Sequence, residues 1–281
     1  MKILLKIIVL LVLSLNAHQS FSQGKIDKSK QEIKDGNKTG TQQAGQSDGS
    51  SYSTSDKPIA NAIAEGCGVI LKGLAYATWY TVIGDYKGEN HLHSSLTKYP
   101  YYNHRSGNYE STDSIDNAQN YGRFDLDNAF LYYNKDLIGN RFTANIRPFQ
   151  YFYLQAQYHQ LIEHNTDGTY SNLSLLNFYF CYDRLRFERF NAGWKLGMCY
   201  VANNVNQGGF SFGLDAEAFI VKPVSVYISQ QWGSINHVPV NQFQLSGKVH
   251  IKRWDLNIGY EHLEIGTPLY DYLSVGAGIH L

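Results

Sequence analysis

The chain has 281 residues, with 24 Lys plus Arg against 24 Asp plus Glu, so no charge excess marks nucleic acid or an anionic surface as a partner. Its mean hydropathy is −0.35 and no apolar run resembles a spanning helix, which needs ~20 residues. Yet 14% of the residues are aromatic and 22 are Tyr, a pairing that suits a sheet whose two faces meet different solvents and whose hydropathy therefore averages out.

Residues 1–22 start with Lys2 and Lys6, continue with an apolar stretch and end in Ser20-Phe21-Ser22. A cationic start, a short greasy run and small residues before a cut describe a secretory signal peptide cleaved after Ser22. Residues 23–57 are Lys, Gln, Gly, Ser, Thr and Asp, with Ile26, Ile33 and Tyr52 too sparse to bury anything; they read as a disordered polar tail. In residues 58–84, Ser55 and Asp56 precede Pro58, and Ile59, Ile63, Ile70, Leu74 and Ala77 recur at helical spacing. That favours an amphipathic helix over a strand across 69–83, although Gly66, Gly68 and Gly73 weaken it. Residues 85–121 form a long aromatic and polar loop containing "KYPYYNHRSGNYES". A connection of this length is functional or disordered, and its Tyr content favours an ordered one.

From residue 122 the period changes to two. Phe210, Phe212, Leu214, Ala216, Ala218 and Ile220 alternate with Ser211, Gly213, Asp215, Glu217 and Phe219, and Phe243 to Ile251 alternate with Gln242 to His250. A strand separates such sets onto two faces, whereas a helix scatters them. Tight cationic turns (Arg147-Pro148, Lys222-Pro223, Lys252-Arg253, and one near 186–191) alternate with connections richer in Asn and Gly at 164–171, 203–209, 236–240 and 266–270. Counting back from the end gives strands near 270–281, 254–265, 240–252, 224–235, 209–221, 190–202, 172–185, 149–162, 140–146 and 124–133. The expected fold is all-β: an antiparallel transmembrane β-barrel over 122–281 of about ten strands, with eight or twelve also compatible. A lipocalin-like barrel or a sandwich would bury its apolar face inward; here the polar set is small or mutually neutralising, and Trp194, Trp232, Trp254 and Tyr260 flank the apolar set as interfacial girdles would.

The tail Ser274-Val275-Gly276-Ala277-Gly278-Ile279-His280-Leu281 resembles the terminal-strand signal of bacterial outer-membrane proteins. The key positions are Ser274, Gly276, Ile279 and Leu281, with Ile279 standing where an aromatic is usual and Leu281 where Phe is commonest. The resemblance is to Gram-negative outer-membrane β-barrels, spans roughly 123–281, and names no subfamily. It implies an outer-membrane location, lipid around the barrel, the barrel assembly machinery as a partner in biogenesis, and other envelope proteins as further candidate partners.

For chemistry, His93-Ser94-Ser95 matches the His-any-Ser arrangement of outer-membrane lipid hydrolases, in which His activates the Ser hydroxyl, and nominates His93 and Ser95. The family pattern continues with Asn, but Leu96 follows, and His93 lies outside any convincing strand. His262 does sit on a strand, with Glu264 where the Ser is needed. Lys195, Asp215, Glu217, Lys248, His250 and Glu261 are all expected to face the lumen as a compensating charge network, because unpaired charge in a narrow barrel is unfavourable. Cys181 and Cys199 fall on lumen-facing positions of neighbouring strands, either bridged or as two free thiols; Cys67 is left over. The ten His show no zinc-site spacing and no Gly-rich phosphate loop is present, so neither metal nor cofactor is expected. Tyr99 to Tyr109 reads either as a self-packing cap or as a ring-stacking surface for glycan or a partner. Three functions fit: a small closed barrel with a structural or interaction role, a lipid-acting hydrolase, and a narrow channel for small solutes.

Overall fold

The computed structural model describes residues 24–36, 80–111 and 122–281. The signal-peptide segment 1–22, Cys67, most of the tail and most of the 58–84 helix lie outside the described residues. In chain order the elements are helix α1 (Lys25–Asp35), two short strands β1 (Ser95–Leu96) and β2 (Tyr109–Glu110), and ten long strands. These are β3 (Arg123–Tyr132), β4 (Leu137–Arg147), β5 (Phe152–His164), β6 (Tyr170–Phe187), β7 (Phe190–Val201), β8 (Gln207–Val221), β9 (Val224–Ile235), β10 (Val238–Ile251), β11 (Trp254–Ile265) and β12 (Leu269–His280).

The ten long strands form a closed up-and-down barrel in which each pairs antiparallel with its chain neighbours and β12 closes onto β3. The closing ladder runs from Leu273↔Tyr132 to His280↔Asp125, and Phe124 and Leu281 exchange backbone bonds of 3.1 and 2.9 Å just beyond it. Closure leaves no unpaired edge, which a bilayer requires. Both barrel termini and the connections at 148–151, 188–189, 222–223 and 252–253 share one end, the turn end; the connections at 133–136, 165–169, 202–206, 236–237 and 266–268 mark the other, the loop end. At 236–237, Asn236 and His237 both take positive φ (51° and 65°), the backbone a two-residue hairpin needs to match strand twist.

The barrel has two tiers. Toward the turn end the outward face is a continuous apolar belt: Ile146, Leu154, Leu196, Leu214, Leu256, Ile258 and Val275 are each about half exposed. Their strand neighbours Lys195, Asp255, Asn257 and Ser274 are buried inside. Toward the loop end the interior turns apolar, with Leu131, Leu161, Leu173, Val201, Ile235, Leu263, Ile265 and Tyr270 in one buried cluster. There polar pairs join the outward face, Asn241 bonding Glu264 and His262 bonding Asp271, beside exposed Ile162, Tyr170, Phe210 and Leu269. β6 has 18 residues, longer than the 172–185 expected, because it continues through both tiers where ~9–11 residues suffice for a crossing.

Each end carries a cap. At the loop end sits α1, in a stretch that sequence reading assigns to a disordered tail. The correction concerns placement rather than apolar content. Ile26, Ser29 and Ile33 fall on one helical face and are fully buried, and the two isoleucines join the loop-end cluster. The Glu163 carboxylate accepts the backbone N–H groups of Lys25 and Ile26 at 3.3 and 2.9 Å, satisfying donors that a helix N-terminus leaves orphaned. Glu32 accepts from the backbone and hydroxyl of Thr267 at 2.7 and 2.5 Å. At the turn end, residues 80–111 fold over the opposite mouth with two 3-10 turns, at Asn90–His93 and Tyr102–His104, and the β1–β2 pair. Residues 80–111 form a lid there. Tyr101 donates to the Val224 carbonyl at 2.7 Å, Trp194 to that of Val82 at 3.0 Å, and Tyr182 to that of Ile83 at 2.6 Å.

Candidate functional site

The lumen between the caps holds the titratable groups. Alternation dictates this: with one face in the belt, every second residue of each strand must point inward, and the inward set here is charged. Near the middle, Glu261 is fully buried. It accepts from Arg141 at 2.5 Å, His159 at 2.6 Å and Gln242 at 3.0 Å. Arg141 also donates to Asp127 at 3.2 Å, and Asn257 to the same carboxylate at 2.6 Å. Each formal charge has an opposite partner and several hydrogen bonds, the condition under which buried charge is tolerated.

A second tier, next to the turn end, joins barrel to cap. Arg147 contacts Asp125 and Asp183 at 3.2 and 2.7 Å, and Arg123 contacts Asp125 at 2.8 Å. Asp183 also accepts the Tyr109 hydroxyl. Asn108 donates to Glu217 at 3.1 Å and accepts from Arg123 at 3.1 Å. The lid is therefore keyed to lumen charges rather than simply laid across the opening. On its outer side Arg184 donates to both oxygens of Glu89 at 2.8 and 2.9 Å, and these bonds hold the Glu89 carboxyl below its usual range. Burial pushes the Tyr101 hydroxyl up to about 12, with Glu217 adding to the effect. Burial also lowers His91.

The structure places all six lumen-network candidates inward. Lys195 lies 3.9 Å from Asp215 and donates to Gln155 and Ser229 at 3.3 and 3.2 Å. Lys248 is 3.7 Å from Glu217. His250 bonds Ser225 at 2.8 Å, and Glu261 anchors the middle. They do not form one cluster: Lys195–Asp215, Glu217–Lys248–His250 and Glu261 belong to separate knots. Arg141, His159, Asp125, Arg147 and His280 complete those knots without having been singled out from sequence, although all sit at inward parity on their strands. Cys181 and Cys199 are free and buried. Register separates them, since Cys181 pairs with Lys195 and Cys199 with Asn177, four positions apart along the ladder, or about 13 Å.

His93 and Ser95 both lie in the turn-end lid, away from the apolar belt. The His93 Nε2–H donates to the Tyr86 carbonyl oxygen at 2.7 Å, so that nitrogen carries a proton instead of offering a base. Of the terminal-strand residues, Ser274 is buried in the lumen, Gly276 is half-buried against the Asn128 carbonyl of β3 and the Asn257 side chain of β11, Ile279 lies on the outward face, and Leu281 is 53% exposed just past β12.

A central cavity of about 80 Å³ remains, bordered by Arg141, Asp127, Gln155, Asp215, Lys248 and His280. On the same measure one water needs about 10–15 Å³, so the cavity holds several waters.

No family model matches the chain, and no curated protein does either. Among solved structures it is similar to an outer membrane channel from Pseudomonas putida F1, at 6% identity over 57% of this chain and 95% of that one, TM-score 0.35. It is likewise similar to the Yersinia pestis outer membrane protein Ail, at 10% identity over 57% and 100%, TM-score 0.33. A third likeness is to the N-terminal β-barrel domain of Pseudomonas aeruginosa OprF, at 10% over 57% and 100%, TM-score 0.30. These are distant likenesses of architecture. The chain's own surface carries the classification: a closed antiparallel barrel with an apolar belt outside and paired charges within is a β-barrel of the outer-membrane type.

Proposed function

We propose that the protein is a small closed outer-membrane β-barrel with a structural or interaction role in the cell envelope. In this reading it is exported by a signal peptide cleaved after Ser22 and inserted by assembly machinery that reads Ser274, Gly276, Ile279 and Leu281. Its lasting partners are then outer-membrane lipid around the belt and other envelope proteins at the rims. The observation that carries this reading is closure at both ends: α1 packs into the loop-end mouth, residues 80–111 are bonded into the turn-end mouth, and about 80 Å³ lies between. In this reading the short turns face the periplasm, as in barrels of this type, with the 80–111 lid on that side and α1 at the outer mouth.

The test is planar-bilayer conductance of the purified full-length mature chain. No steady open level is expected, and a stable ohmic conductance from the intact protein would overturn the reading in favour of a narrow solute channel. A lipid-acting hydrolase finds little support, because Ser95 is buried in the lid and His93 Nε2 is committed to a carbonyl. An unchanged lipid profile on Ser95→Ala is the expected result.

A further inference from the structure

At the turn end of the lumen, β10, β11 and β12 bring His250, Asp255 and His280 together, each offering one ligand atom within 4.8 Å of the others. His250 and Asp255 are direct cross-strand partners, and His280 follows two residues after Gly278, the partner of Asp255 on the other side. Both imidazoles are held by groups behind them. His280 places Nδ1 2.6 Å from Asp125; a carboxylate accepts only, so Nδ1 carries the proton and Nε2 is free to present a lone pair. On His250, Nε2 lies 2.8 Å from the Ser225 hydroxyl, which itself donates to Glu217 at 2.7 Å. The hydroxyl proton being committed, His250 Nε2–H is the donor and Nδ1 keeps the lone pair. Neither His250 Nδ1 nor His280 Nε2 has a hydrogen-bond partner among the described residues, and Asp255 Oδ1 has none either.

The Asp255 side chain is 5% exposed and its Oδ2 stands 3.3 Å from His280 Nε2, two acceptors facing each other unless a metal cation or a second proton on His280 lies between them. Arg123 and Arg147 are engaged by Asp125, and Lys248 by Glu217. Among the described residues, no Lys or Arg stands within ion-pair distance of Asp255. Gly278 supplies the room: a Cβ there would meet Asp255 Oδ2 at 2.3 Å.

We propose that His250, Asp255 and His280 form a binding site for a divalent transition-metal ion, Zn²⁺ being the probe of choice. Two neutral imidazoles and one carboxylate are a ligand set that zinc accepts, with a fourth position left to water, and the central cavity borders all three residues. Asp125 and the Ser225–Glu217 relay are outer-shell groups that fix ring orientation and tautomer, the usual arrangement behind ligating histidines. Ligands at ~2.0–2.1 Å in a tetrahedron stand about 3.4 Å apart, so binding draws the three groups inward by side-chain rotation. Tyr101 of the lid packs edge-on against His250, with ring centroids 5.6 Å apart, so the ion would sit directly under the lid.

The test uses the full-length mature chain folded in detergent, stripped with a chelator, and titrated with Zn²⁺ against a chromophoric competitor. One equivalent per chain is expected. Asp255→Asn and His280→Gln should each weaken binding at least tenfold, and Asp125→Asn by about 10–100-fold through the outer shell. His262→Gln, on the outer rim, should leave it unchanged. Heat-modifiable gel mobility checks that each variant is folded; should Asp255→Asn fail that check, Gly278→Ala displaces the same carboxylate from a neighbouring strand. Absence of stoichiometric binding by the folded wild type overturns the proposal and leaves a protonated His280 bridging two carboxylates. Undiminished binding by a folded His250→Gln/His280→Gln variant overturns it equally, by placing the ion elsewhere.

Discussion

The two tiers of the barrel share one backbone geometry and have opposite interiors. In the tier nearer the turns, Leu256, Ile258 and Val275 face out while Asp255, Asn257 and Ser274 face in. A few residues further along the same strands, Leu263, Ile265 and Tyr270 face in while His262, Glu264 and Asp271 face out. Alternation is only a device for separating two sets; the solvent decides which set lies where. On β11 and most of β12 the first tier fits acyl chains and the second fits water, so these strands carry at the loop end a small core of the ordinary soluble kind, closed by α1.

The largest effect is expected where charge is most deeply enclosed. Glu261→Ala leaves Arg141 buried with only Asp127 nearby and should lower stability by about 3–5 kcal/mol, read from denaturant unfolding in lipid vesicles. A loss under 1 kcal/mol would mean that water reaches the middle of the lumen. Leu263→Ala tests the upper tier. If that tier is a packed core, truncating a fully buried Leu should cost about 2–5 kcal/mol and also raise proteolysis of α1. A third comparison opposes the two outward faces. Ile258→Arg in the belt should cost about 2–4 kcal/mol, while Asn241→Arg at the rim should fall near 0–1 kcal/mol. Equal penalties would erase the boundary between the tiers.

Much of this was legible in the sequence because period two over ten segments is a collective signal. Phe210 to Ile220 and Phe243 to Ile251 assign faces without any knowledge of partners, and the turns suggest about ten strands, with closure of β12 onto β3 fixing the count. The caps were less legible for a physical reason. Ile26 and Ile33 look isolated in a polar run, and their burial depends on a hole formed by residues more than a hundred positions away. The same holds within the lumen. Parity marks Arg141, His159 and Glu261 as inward, but only the register and the curvature of the closed sheet decide that these three meet. His280 is the clearest case: it reads as one filler residue in a terminal alternation, and its chemistry appears only when β12 lies between β3 and β11.

The turn-end lid differs from both tiers in carrying a half-buried ion pair at its outer edge, Arg184–Glu89, beside the carbonyl bonds of Trp194 and Tyr182, and acid should loosen this edge first. Arg184 holds the Glu89 carboxyl below the usual glutamate value of 4.5. A depressed carboxylate contributes stability that is fully present above the unfolded value and is lost as pH falls through the folded one. The window is therefore below about 4.5, and neutral solution should leave the lid seated. Side-chain exposures of 16% for Arg184 and 29% for Glu89 put the pair among screened surface bridges worth about 0.2–1 kcal/mol. Hydrogen exchange across residues 80–93, corrected for the intrinsic pH dependence, should rise about two- to fivefold on acidification while β10 and β11 stay unchanged. Glu89→Gln should show the raised exchange already at neutral pH and no further rise in acid. Equal protection of wild type and variant at every pH would place the hold on the lid with the interior bonds of Asn108 and Tyr109 instead.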